Sequence, residues 1–121
     1  MTIATGTPED FFARGKAIAK LLDEGRAVPD RIIVNFEEPS EFLRFLSTNR
    51  LQLFRSIKQN PGSITDLAKR LRRDRSAVKR DIDALYAVGL LHIELQILPG
   101  HGQKKFVRVT ANSVQLEALV A

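Results

Sequence analysis

The 121 residues contain no cysteine, which removes disulfides, thiol nucleophiles, iron–sulfur clusters and thiolate zinc sites together. Histidine is scarce as well. His92 and His101 are the whole complement, and neither lies within a cluster of carboxylates, so no metal site and no cofactor is expected. No run of about 18 apolar residues exists, as a membrane span would need. Glu9 and Asp10 precede the first arginine, so the N-terminus lacks the basic-then-apolar pattern of a secretory signal, and the expected compartment is the cytoplasm. Catalysis is not expected either: neither histidine has an evident nucleophile and carboxylate beside it, and Tyr86 falls inside a helical pattern where packing is its expected role.

What is present is an ordinary apolar fraction, 44% with seven phenylalanines, enough for a core in a single domain of this length with an appendage. The net charge of +5 is unevenly spread. Residues 1–40 hold five Lys or Arg against seven Asp or Glu, a sum of −2; residues 41–121 hold fourteen against seven, a sum of +7. The basic part therefore calls for an anionic partner.

The stretch FFARGKAIAKLLDEG predicts a helix from Glu9 to about Glu24, stopped at Gly25. Ile32, Ile33, Val34 and Phe36 predict a short strand over Arg31–Phe36. A brief helix follows over Ser40–Leu46, with Phe42, Phe45 and Leu46 turned inward. Thr48 is the expected cap of a helix over Asn49–Gln59, with Leu51, Phe54 and Ile57 as its stripe, and Asn60-Pro61-Gly62 ends it.

Ser63 and Asp66 have the spacing of a reciprocal capping box. They open a helix whose buried stripe is Ile64, Leu67, Ala68 and Leu71. Asp74 suits the N-cap of the next helix, which runs to about Val88 with Val78, Ile82 and Leu85 inward and Gly89 as its stop. Leu91, Ile93, Leu95 and Ile97 then alternate with polar residues, the mark of a half-buried strand. Pro99 to Gly102 make a turn, and Phe106, Val107 and Val109 lie in the returning strand, so an antiparallel hairpin is expected, its apolar face on the helices. The tail from Thr110 is read as a last short helix.

The fold class expected is mainly α with a β-hairpin wing, a winged helix-turn-helix. Residues 1–39, a helix and a short strand, are expected either as an extension for dimerisation or partner binding or as a cover for the domain's own core, residues 40–110 as the DNA-binding domain and residues 111–121 as a tail. Lys69, Arg70, Arg72, Arg73, Arg75, Lys79 and Arg80 place seven positive charges in twelve residues, offset by Asp74 alone. With Val78, Ile82 and Leu85 inward, helical geometry turns Arg75, Ser76, Lys79, Arg80 and Asp83 outward. That face begins at a helix N-terminus, where free N–H groups and the dipole favour phosphate. Arg75, Ser76, Lys79 and Arg80 are the candidates for groove and base contacts, and Lys69, Arg70, Arg72 and Arg73 for phosphate contacts. His101, Lys104, Lys105 and Arg108 flank the hairpin turn as wing contacts. RNA is disfavoured because the phenylalanines fall at core positions instead of forming a stacking platform.

Asn49–His92, NRLQLFRSIKQNPGSITDLAKRLRRDRSAVKRDIDALYAVGLLH, with Thr48 just before it and Leu51, Leu67, Ala68, Leu71, Arg73, Asp74, Val78, Asp81, Leu85, Gly89 and Leu90 as anchors, resembles the core of the MarR-like winged helix-turn-helix regulators of archaea and bacteria. The resemblance reaches more weakly from Phe36 to Val109. It implies a homodimer on double-stranded DNA. Some small regulators of this kind resemble antitoxins, so the alternative expectation is a protein-interaction module or toxin partner. Arg75 stands where the resembling proteins usually carry an aromatic.

Overall fold

The computed structural model describes residues 2–4, 28–100 and 102–121. The helix expected over Glu9–Glu24 and the wing candidate His101 lie outside them. The described residues form a mixed α/β arrangement of four helices and six strands: β1 (Thr2–Ala4), β2 (Arg31–Phe36), α1 (Pro39–Phe45), α2 (Thr48–Gln59), β3 (Gly62–Ser63), α3 (Ile64–Leu71), α4 (Arg75–Ala87), β4 (Leu91–Leu98), β5 (Gly102–Val109) and β6 (Ser113–Ala118). No helix among them is long and apolar enough to cross a membrane.

Two three-stranded sheets organise the described residues. In the first, β2 lies between β1 and β6 and runs parallel to both. Ile32 stands beside Val114 and Val34 beside Leu116, so the alternating apolar residues of β2 and β6 share one face. That face is closed: Ile32, Val34 and Phe36 are buried among the helices in the one core cluster, with Val114, Leu116 and Ala118 packed against it. The tail is therefore a strand and not the expected helix. Val114, Leu116 and Ala118 are two apart, a strand period, and β2 supplies the neighbour that a tail by itself lacks.

Pro39 begins α1, where its missing N–H costs nothing. The helix is held to β2 by aromatic contacts, the Phe36 ring meeting Phe42 edge-on at 5.6 Å and Phe45 at 5.4 Å. Leu46, expected inward, is exposed. The cap of α2 is Ser47, whose hydroxyl accepts from the Arg50 N–H, and not Thr48. Leu53 and Ile57 are fully buried on α2, Phe54 is half-buried and Leu51 is exposed, so the inward stripe is rotated from the expected Leu51–Phe54–Ile57 line.

The second sheet has the order β3-β5-β4 and is antiparallel. Gly62 and Ser63, which read as turn and cap, also pair with Val107 and Phe106. The helix end before the hairpin depends on Gly89, whose φ of 80° is easy only for glycine. Thr110 is buried there, its hydroxyl donating to the Gly89 carbonyl at 2.7 Å and its N–H to the Leu90 carbonyl at 3.1 Å. This corner passes the chain from β5 into β6.

Candidate nucleic-acid interface

α3 and α4 are joined by the three residues Arg72–Asp74, and both helix starts are capped by side chains. The Ser63 hydroxyl accepts from the Asp66 N–H at 3.1 Å while the Asp66 carboxylate accepts from the Ser63 N–H at 3.4 Å. These two hydrogen bonds, reinforced by the charges of Lys104 and Lys69, hold the Asp66 carboxyl below the usual carboxylate range. At α4 the Asp74 carboxylate accepts from the Ser76 N–H at 3.0 Å. Arg72 closes α3 in the left-handed conformation, φ 53°. A non-glycine residue there is uncommon, and the return bond from the Arg73 N–H to the Ala68 carbonyl, 3.0 Å, accompanies it.

α4 buries Val78, Asp81, Ile82 and Leu85. Arg75, Ser76, Lys79, Arg80 and Asp83 are all exposed, so the four groove candidates share the outward face. They differ in freedom. Arg75 Nε donates to Thr65 Oγ1 at 3.3 Å, which ties the start of α4 to α3. Lys79 pairs with Asp83 at 2.9 Å, one turn on. The Arg80 side chain has no hydrogen bond or ion pair among the described residues and is the cation on this face most available to a ligand.

The phosphate candidates divide in two. Lys69 and Arg72 are exposed on α3 and its C-cap. Arg70, also exposed, and Arg73, half-buried, are engaged by hydrogen bonds to other parts of the chain. Arg70 Nη1 donates to the Ser56 carbonyl, the Ser56 hydroxyl and the Asn60 carbonyl at 3.1, 3.0 and 2.8 Å, adding to the Asn60 N–H that the Ser56 carbonyl already accepts at the end of α2. Arg73 Nη2 donates to Asp81 Oδ2 at 2.8 Å, and Arg50 Nε donates to Asp81 Oδ1 at 3.1 Å. Arg50 also reaches the Phe45 carbonyl at 2.8 Å and lies over the Phe45 ring. One carboxylate thus bridges two guanidiniums, from α2 and from the α3–α4 turn.

Of the wing candidates within the described residues, Lys104 and Lys105 are exposed near the tip, where Gly100 and Gly102 turn the chain with positive φ. Arg108 instead pairs with Glu94 across the hairpin at 3.2 Å and covers the Phe106 ring. The apolar face of the hairpin meets the helices only at its base. Leu91 and Val107 are buried, whereas Leu95 is 62% and Ile97 77% exposed, contrary to the expected packing along the whole strand. The distal half extends past the helices, so alternation continues where no core remains to receive it.

A family model, HVO_A0114, matches residues 45–116, more than half of the chain. The chain belongs to the HVO_A0114 family. The matched span runs from the end of α1 into β6 and holds every described candidate contact of this HVO_A0114 member, while β1 and β2 lie outside it. A solved structure of a "possible transcriptional regulator" from Methanosarcina mazei Go1 is similar at 21% identity, covering 58% of this chain and 63% of its own, with a TM-score of 0.49; the chain thus spans less than two thirds of that structure. No curated protein matches.

The residue that sequence reasoning passed over in this HVO_A0114 chain is Asp81 as an acceptor. Its signal was present. An aspartate three residues after Val78 falls in the buried stripe of α4, where a carboxylate needs cationic partners, and Arg50 and Arg73 are those partners.

Proposed function

We propose that the protein is a sequence-specific duplex DNA-binding transcriptional regulator of the winged helix-turn-helix type, similar to the MarR-like regulators, acting as a homodimer and not as an enzyme. In this reading α4 enters the major groove, Arg75, Ser76, Lys79 and Arg80 face base edges, Lys69 and Arg72 grip phosphate, and the β4–β5 hairpin is a wing carrying Lys104 and Lys105.

One observation carries the reading: the exposed face of α4 starts at the helix N-terminus with Arg75 and Ser76 and continues one turn on with Lys79 and Arg80. A helix fits the width of the major groove with its N-terminal residues against base edges. The clamp on Asp81 supports it by fixing the turn that sets the angle between α3 and α4. Selection of bound sequences from a random duplex pool, followed by titration at several salt concentrations, tests it. The expected result is an enriched motif, with affinity falling by about 0.9 log units per log unit of salt for each phosphate contacted. No enrichment and no salt dependence would sink the reading.

A further inference from the structure

Among the described residues β6 pairs with β2 on one side and with no strand on the other. Exposed strand edges are usually blunted by lysine, proline or a bulge. SVQLEA, residues 113–118, carries neither lysine nor proline and pairs without interruption. Beside this edge lies an open groove of about 290 Å³ between α2 and β6, walled by Leu46, Leu51, Phe54, Val114 and Leu116. Leu51 and Leu46 are exposed along it, and Val120, just past the strand, is 77% exposed.

We propose that this edge and groove receive the same strand of a second copy of the chain, joining two three-stranded sheets into one of six. The edge is self-complementary. Two identical strands paired side by side about a two-fold axis run antiparallel with the axis normal to the sheet, and residues directly opposite then share a face. Apolar residues meet apolar ones only if the axis passes through a residue and not between two. Centring on Glu117 would set two carboxylates face to face. Centring on Leu116 sets Leu116 against the partner's Leu116, Val114 against the partner's Ala118, and Gln115 against the partner's Glu117. Gln115 and Glu117 already hydrogen-bond at 3.2 Å within one chain, so the same chemistry serves across the axis. Continued two residues further, the strand brings the partner's Val120 opposite Asn112, at the end of the groove lined by Asn112 and Leu90. Pairing of six residues alone is too small for a stable dimer, which needs about 800 Å² from each partner; α2, with Leu51 and Phe54 over the new strand, supplies the rest.

The inference rests on the homodimer of the proposed reading and is tested without DNA, so the two can fail separately. The full chain is measured by sedimentation over a range of concentrations, and a dimer is expected. Gln115 is exposed, and its side chain meets the exposed side chains of Arg31, at 3.3 Å, and Glu117, at 3.2 Å, so its substitution leaves the core untouched. Gln115→Glu opposes two like-charged pairs and should weaken the dimer roughly tenfold, whereas Gln115→Lys should hold or tighten it. The natural absence of cysteine allows a second measurement. Opposed Cα atoms lie about 4.5–5.5 Å apart, within disulfide reach, so Leu116→Cys should cross-link under mild oxidation and Asn35→Cys, on the outer face of β2, should not. If the Leu116 variant fails to fold, the charge pair decides. A monomer at all concentrations, or a dimer indifferent to both Gln115 variants, overturns the proposal, even if that protein binds duplex. A dimer that responds as described but ignores DNA overturns the regulatory reading instead.

Discussion

Arg73 and Asp81 meet at 2.8 Å, and with Arg50 on the other carboxylate oxygen at 3.1 Å they bind the α3–α4 turn to α2 and α4 at one point. Both partners are largely shielded from solvent. Removing the carboxylate would leave two guanidiniums adjacent and uncompensated, a more damaging change than losing an exposed ion pair. Asp81→Ala is expected to destabilise the protein by on the order of 3 kcal/mol, read as a lowered urea midpoint. An unchanged midpoint would show that the bridge is incidental.

Arg72 and Arg73 are neighbours with opposite environments, and DNA titrations should separate them. Arg72→Ala should reduce the salt slope by about 0.9, the share of one phosphate, with little change in stability. Arg73→Ala should lower stability through Asp81 and leave the slope as it was. The reverse assignment of slopes would refute the division made between exposed and engaged arginines.

On α4, Arg80→Ala should remove roughly 1–3 kcal/mol of discrimination between the selected site and a scrambled one. The measurement is the ratio of affinities for the two duplexes. A uniform loss on both would assign Arg80 to the backbone.

The capping box links stability to acid. Ser63→Ala should cost about 1 kcal/mol near neutral pH. Asp66 titrates below its unfolded value, so its contribution is complete above that value, about 3.9, and is lost as pH falls through the lower folded one. The difference in stability between wild type and variant should therefore narrow in acid, below about pH 4. A gap that widens on acidification would contradict the role given to Asp66.

Along β4 the same apolar residue type has two values. Leu91→Ala, in the core, should cost about 2–5 kcal/mol, whereas Leu95→Ala, on the overhanging half, should stay within about 0.5 kcal/mol. Thermal or chemical denaturation measures both, and equal costs would place the distal hairpin against the helices after all.

Much of this was legible in advance because its causes are local. The Ser63–Asp66 box, the Asp74 cap and the Gly89 stop each act within a few residues, and the outward set Arg75, Ser76, Lys79 and Arg80 follows from helical periodicity once Val78, Ile82 and Leu85 are inward. The hairpin from Leu91 to Val109 was equally readable from alternation and its glycine turn. Leu95 and Ile97 mark the limit of that reasoning: periodicity tells which face a residue is on, but not whether anything stands opposite.

By itself, then, the amino-acid sequence determined the α2–α3–α4 succession, the hairpin and the location of positive charge, since caps, turns and amphipathic period are properties of neighbouring residues. Tertiary structure alone decided that residues 113–118 are a strand, because a parallel pairing exists only when β2 is brought from the other end of the described chain. It also decided which arginines remain free. A guanidinium is held by the chain when acceptors from another element come within reach, as Ser56 and Asn60 do for Arg70 and Asp81 does for Arg73, and that encounter is written in no local pattern.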